Sequence, residues 1–153
     1  MYQRILVPFD GSKYAKNALN EAIGLAKITG AKIYLFTVVN VSSVVPPGSL
    51  LGLVKSASTG ELQRRLLKSA KSEAENLGKD QIAYCKSKGV DANYEMIMDG
   101  NIAEEILRAA KKKSIDLIVI GSQGLHGISR IKTLGSVSRK VSELAQCPVL
   151  IVR

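Results

Sequence analysis

Aromatic residues are scarce. They make up 5% of the 153 residues, and tryptophan is absent. The core must therefore be aliphatic, built from Ile, Leu, Val and Ala. So few rings also leave little to stack bases on, and no nucleic-acid reader motif is present, so nucleic acid is not the expected partner. Histidine occurs once, as His126. A Ser-His-Asp set would have to run through that one loop residue, and no residue cluster has the spacing of a metal site. Cys85 and Cys147 have no CxxC partner and read as free thiols. No apolar run approaches the ~18 residues of a transmembrane helix. The opening MYQRILVPFDGS has no long apolar signal region. We expect a cytoplasmic protein with no membrane partner. Two familiar phosphate motifs are also missing: GxxxxGK[ST], and GxGxxG after the first strand.

What is present fits one globular domain spanning 1–153. A chain of this size buries roughly 70% of the surface it exposes when unfolded. Hydrophobic residues make up 46% and charged residues 23%. The formal net charge of +9 favours an anionic partner. The run Lys111-Lys112-Lys113 ends a predicted helix, where cations suit the macrodipole, and reads as a solvated helix end.

Short apolar runs with strand character occur at Arg4–Val7, Lys32–Val39, Ala92–Met98, Asp116–Ile120 and Pro148–Val152. Helical spacing fills the intervals. Ala15, Ala18, Leu19, Ala22, Ile23 and Ala26 form one stripe. Leu62, Leu66, Leu67, Ala70, Ala74 and Leu77 form a second. Ile102, Ile106, Leu107 and Ala110 form a third, and Val137, Val141, Leu144 and Ala145 a fourth. The order βαβαβαβαβ implies an α/β fold, an open five-stranded parallel sheet with helices on both faces and right-handed crossovers. The stretch 41–60, VSSVVPPGSLLGLVKSASTG, resists this scheme. It reads as a long flap near the site, a patch for a partner or a plain loop.

In such sheets ligands bind beyond the carboxyl ends of the strands, where strand order reverses. For order 3-2-1-4-5 that point lies between the first and fourth strands. The segments leaving them are VPFDGS and GSQG. The second opens a longer stretch, GSQGLHGISRIKTLGSVSRK. Gly121, Gly124 and Gly127 let backbone approach a ligand. Gly135-Ser136 opens the fourth helix, whose free N–H groups make an anion site. Ser136 and Ser138 add hydroxyls, and Arg130 and Lys132 add charge. The same residues also fit a glycine-rich loop with Ser136 as an ordinary helix cap.

Read together, ILVPFDGS, DLIVIGSQG, LGSVSRKV and CPVLIVR resemble the universal stress protein family, in its ATP-binding branch. The resemblance runs the whole chain in order. It implies a Rossmann-like, adenine-nucleotide alpha-hydrolase-like fold and ATP as ligand; separately, the Asp10 carboxylate is a candidate to help hold Mg²⁺ on a bound nucleotide. The resemblance implies that Pro8, Phe9 and Asp10 lie against the adenosine and that Val38 meets adenine through its backbone. Ile120 and Gly121 would line the nucleotide, and Gly124, Gly135, Ser136, Val137 and Ser138 would surround the phosphates. Capping of the first helix is the other role open to Asp10, one that Ser12 also fits.

It implies further a homodimer through the final strand, 148–153, acting as a nucleotide-responsive regulator in stress response. Two alternatives stand beside it. One is an enzyme of the same class that slowly hydrolyses ATP or activates a substrate with it. The other is an interaction protein that uses its basic surface without nucleotide. The family signature places nine residues between Gly124 and Gly135, and this chain has ten, LHGISRIKTL. The extra residue is expected to bulge near Ser129–Thr133, leaving the Gly135-Ser136 turn in place.

Overall fold

A computed structural model describes residues 1–40, 57–125 and 133–153. The strands are β1 (Arg4–Pro8), β2 (Lys32–Val39), β3 (Ala92–Met98), β4 (Leu117–Gly121) and β5 (Val149–Val152). Between them run α1 (Lys13–Thr29), α2 (Ala57–Ser87), α3 (Ile102–Lys112) and α4 (Ser136–Leu144). The sheet has the expected order β3-β2-β1-β4-β5, and every pairing is parallel.

Period-two alternation sorts the strand side chains between two cores. Ile5, Val7, Ile33, Leu35, Leu117 and Val119 face α1 and the end of α2. Leu6, Phe36, Ile118 and Ile120 face α3 and α4. Strands buried on both faces explain why runs such as DLIVI lack polar alternation. All six members of the first helical stripe, Ala15 to Ala26, are buried. Ser12 starts that helix by accepting the Ala15 N–H at 3.1 Å, and Gly30 ends it in the left-handed region.

The second stripe behaves differently. Ala74 is buried and Leu77 packs against the core, but Leu62 is 43% exposed. The 31-residue α2 is roughly 46 Å long at 1.5 Å per residue, twice the reach of the strands beneath it. Its first half therefore outruns the sheet. Its second half is seated by Tyr94, whose hydroxyl donates to Ala74 O at 2.7 Å. The ring lies where a Cβ on Gly78 would fall 2.1 Å away, so only glycine permits this seat. Helix also replaces the end of the stretch expected to be irregular over 41–60, because residues 57–60 already belong to α2. Residues 41–56 lie outside the described residues. In α4, Val141 is fully buried, while Leu144 is 56% exposed because that helix covers only the sheet margin.

Candidate functional site

Parallel pairing sets Ile5 beside Leu117 and Leu6 beside Ile118, so β1 and β4 end side by side. The chain leaves β1 through α1 toward β2, and leaves β4 through α4 toward β5 on the other side. Two turns therefore diverge from one point, leaving a cleft above the strand ends.

The first turn is built on Phe9. Its N–H donates to Phe36 O at 2.8 Å, and its carbonyl accepts from the Thr37 hydroxyl at 2.7 Å. Its ring is buried in the α1-side core, so Phe9 presents backbone to the cleft. Pro8 before it is half-buried. Asp10 is exposed, with both carboxylate oxygens engaged. Oδ1 accepts from Ser12 N at 2.9 Å, and Oδ2 accepts from Leu125 N at 3.2 Å. Asp10 thus spans the two turns, while Ser12 caps α1. A Cβ on Gly124 would lie 3.0 Å from Asp10 Oδ2, so the clasp closes tightly over a residue without a side chain.

The second turn begins at Ile120 and Gly121, the last residues of β4, both buried. A Cβ on Gly121 would stand 2.7 Å from the Tyr14 carbonyl carbon, so glycine here lets α1 cross the strand end. Ser122 is the junction. Its N–H donates to Val152 O at 2.7 Å, and its carbonyl accepts from Gly135 N at 2.8 Å and from the Ser138 hydroxyl at 2.9 Å. Gln123 Nε2 donates to Thr133 O at 3.1 Å, closing the far side of the loop. His126, Gly127, Ser129, Arg130 and Lys132 lie outside the described residues. The Gly135-Ser136 turn nonetheless opens α4, with Gly135 as the cap and Ser136 as first helical residue. Ser136 is therefore not the cap.

Gly135 has no side chain to accept the leading amides of α4, and no side-chain cap bond is made there. The N–H groups of Ser136, Val137 and Ser138 have no acceptor within the helix. Ser136 is exposed, Val137 is half-buried against the α3-side core, and Ser138 is 2% exposed with its hydroxyl turned inward. Val38 stands one strand away, near the end of β2, paired with Ile97 of β3.

Charge around the cleft runs against ordinary helix design. Neither α1 nor α4 has an acidic residue in its first turn. Lys13 and Lys16 stand at the start of α1, and Arg139 follows the leading amides of α4. By contrast α3, which starts at the same edge, carries Glu104 and Glu105 and an Asn101 cap. Cations at a helix N-terminus are unfavourable by a few tenths to 1 kcal/mol each unless an anion sits nearby, as Asp10 does at α1 through its bond from Ser12 N. Among the described residues no group of three His, Cys, Asp or Glu converges to hold a metal. The arrangement offers amides, hydroxyls and positive charge, which suits binding an anion.

Ser122 and Thr37 escaped the sequence reading. A serine after a glycine and a threonine in a strand carry no local sign of their partners, Val152 and Phe9.

Comparison with known proteins agrees with this geometry. The model of the universal stress protein family matches residues 1–153. Universal stress protein YxiE of Bacillus subtilis is 39% identical over 155 residues, covering all of both chains. The structure of MJ0577, a universal stress protein of Methanocaldococcus jannaschii, superposes with a TM-score of 0.80 at 26% identity, covering 99% of this chain and 96% of that one. A universal stress protein solved in complex with cAMP shares the fold, with a TM-score of 0.69 at 24% identity, covering 99% and 97%. A family match over residues 1–153, together with a relative 39% identical from end to end, makes this chain a member of the universal stress protein family.

Proposed function

We propose that this chain binds an adenine nucleotide, ATP with Mg²⁺, in the cleft between the β1 and β4 turns, and acts as a dimeric nucleotide-responsive regulator in the cytoplasm. The observation that carries this reading is the uncapped start of α4, held by Ser122 beside the Asp10 clasp and flanked by Lys13 and Arg139. The phosphates lie against the amides of Ser136, Val137 and Ser138, with Gly124 and Gly135 leaving room for them. The adenosine lies along Pro8, Phe9, Asp10, Ile120 and Gly121, with the base toward Val38. Asp10 reaches the ribose or Mg²⁺ by exchanging its bond to Leu125 N for one to the ligand. Binding is favoured over catalysis, because the described residues of the two turns, 8–12 and 121–125, carry one carboxylate, Asp10, and no histidine to work with it. The open edge of β5, where Leu150 is 39% exposed, supports pairing of two copies through 148–153.

Calorimetry with ATP and Mg²⁺ tests the reading. Binding is expected for the native chain and strong loss for Gly135→Val, whose side chain would meet Ser122 O, already 3.3 Å from a Cβ at that position. No heat and no thermal shift with the native chain would remove the proposal.

A further inference from the structure

The edge opposite the two turns gathers the strand starts and the helix ends. Arg4 opens β1, and Lys27 and Lys86 lie in the last turns of α1 and α2. Lys88 follows α2 directly, and Lys111 and Lys112 end α3. All of these side chains are exposed, and none forms an ion pair with a described residue. The segments outside the described residues contain no Asp or Glu, so they supply no carboxylate partner either. Of the acids at this edge, two are committed elsewhere, while Glu143, exposed beside Leu144 at the end of α4, forms no ion pair with a described residue. Asp91 pairs with Lys32 at 3.0 Å, and Asp116 accepts the N–H groups of Gln3 and Arg4 at 2.8 and 3.1 Å.

Helix dipoles account for a cation at each helix end. Arg4 is held in the same way, its Nη1 donating to Lys113 O at 3.0 Å just past the end of α3, so what the dipoles leave unexplained is the apolar side chains exposed among the charges. Ile28, at the end of α1, is 80% exposed, and Leu144, at the end of α4, is 56% exposed. Beside Leu144 a cleft of about 440 Å³ runs between the ends of α3 and α4. Leu107 and Ile115 give it apolar walls, and Arg108 and Lys111 contribute to its lining.

We propose that this edge docks on an anionic lipid surface, the cations meeting headgroups while Ile28 and Leu144 enter the interface. A nucleic-acid backbone would satisfy the charges but leave both apolar side chains in water. A lipid surface satisfies both. Among the described residues no helix is long and apolar enough to cross a membrane, which bears on insertion and not on peripheral docking. The β1 and β4 turns lie at the other edge, so they stay open to solution in the docked state.

Co-sedimentation with phosphatidylcholine vesicles, with and without phosphatidylglycerol, tests this. The chain should pellet only with phosphatidylglycerol present, and less in high salt. Lys111→Glu combined with Lys112→Glu should lower binding at least about tenfold, given the strong dependence on each basic residue. Ile28→Ser should lower it severalfold without changing charge. Arg64→Glu with Arg65→Glu, the same charge change on the distant first half of α2, should bind as the native chain does. All five positions are exposed, so the fold is expected to survive, and thermal melts check that. Equal pelleting without phosphatidylglycerol would overturn the proposal. So would equal loss in the α2 variant, which would reduce the effect to net charge. Absent vesicle binding, with duplex DNA bound through the same lysines, would assign the edge to nucleic acid instead.

Discussion

The Ser138 hydroxyl donates to Ser122 O at 2.9 Å from a side chain that is 2% exposed, with Gly135 O as a second acceptor at 3.0 Å. A serine that sequence alone offers to a phosphate is, in the fold, the bolt between the β4 turn and the first turn of α4. Its hydroxyl faces inward, which leaves its amide to face the cleft.

Ser138→Ala should therefore cost stability even without ligand. Ser122 O would keep Gly135 N but lose its second donor. We expect a loss of about 1 kcal/mol, in the range for a buried hydrogen bond. Urea unfolding of the ligand-free protein measures it. An unchanged midpoint would show that the bolt is idle.

Two glycines should respond in opposite directions to the same substitution. Gly121→Ala forces a methyl to within 2.7 Å of Tyr14 backbone, which has no side-chain freedom to yield, so about 1–3 kcal/mol should be lost. Gly24 lies within α1 with no atom inside 4 Å of an added Cβ. Gly24→Ala should stabilise by about 0.5–1 kcal/mol. Paired thermal melts decide both.

Lys13→Glu should make the empty protein more stable and the liganded one less so. A carboxylate in the first turn of α1 suits the helix dipole by about 0.3–1 kcal/mol. The same charge repels a phosphate. Melting curves with and without ATP should converge in this variant. If both states gained stability equally, the cleft would not be an anion site.

Thiol chemistry should separate the two cysteines. Cys85 is fully buried, and that burial pushes its thiol from the ordinary 9.0 up to about 11, against a smaller lowering by a backbone hydrogen bond. Cys147 is half-buried, and burial together with Asp116 also raises its thiol. Ellman's reagent should modify Cys147 slowly, and Cys85 only on unfolding. Cys85 also predicts an alkaline limit. The unfolded thiol ionises near 9 while the folded one keeps its proton to about 11, so the unfolded chain holds fewer protons in that window. The stability contribution is complete below 9 and declines as pH rises toward 11. Cys85→Ala should flatten that decline in alkaline denaturation curves.

Local patterns carried most of the fold. The apolar runs of β1, β2 and β4 and the 3.6-residue stripe of α1 are properties of neighbouring residues, and they mark the strands to within a residue and the helix to within three. The α2 stripe placed its helix but not what covers it: spacing reports which residues share a face, not whether a sheet lies beneath them, and Leu62 is 43% exposed. The two turns were likewise legible as glycine with small hydroxyl residues at a switch point. Their wiring was not. That Asp10 clasps Leu125, that Ser138 turns inward, and that Ser122 reaches Val152 depend on partners up to 115 residues apart in sequence.

The bond from Ser122 N to Val152 O joins the end of β5 directly to the cleft, and Asn17 Nδ2 holds Arg153 O at 3.0 Å from the α1 side. A shift of the backbone at Val152 or Arg153 is felt at Ser122 and at α1. An environment-sensitive dye on residue 153 is therefore expected to report occupancy of the proposed anion site, from a position outside it.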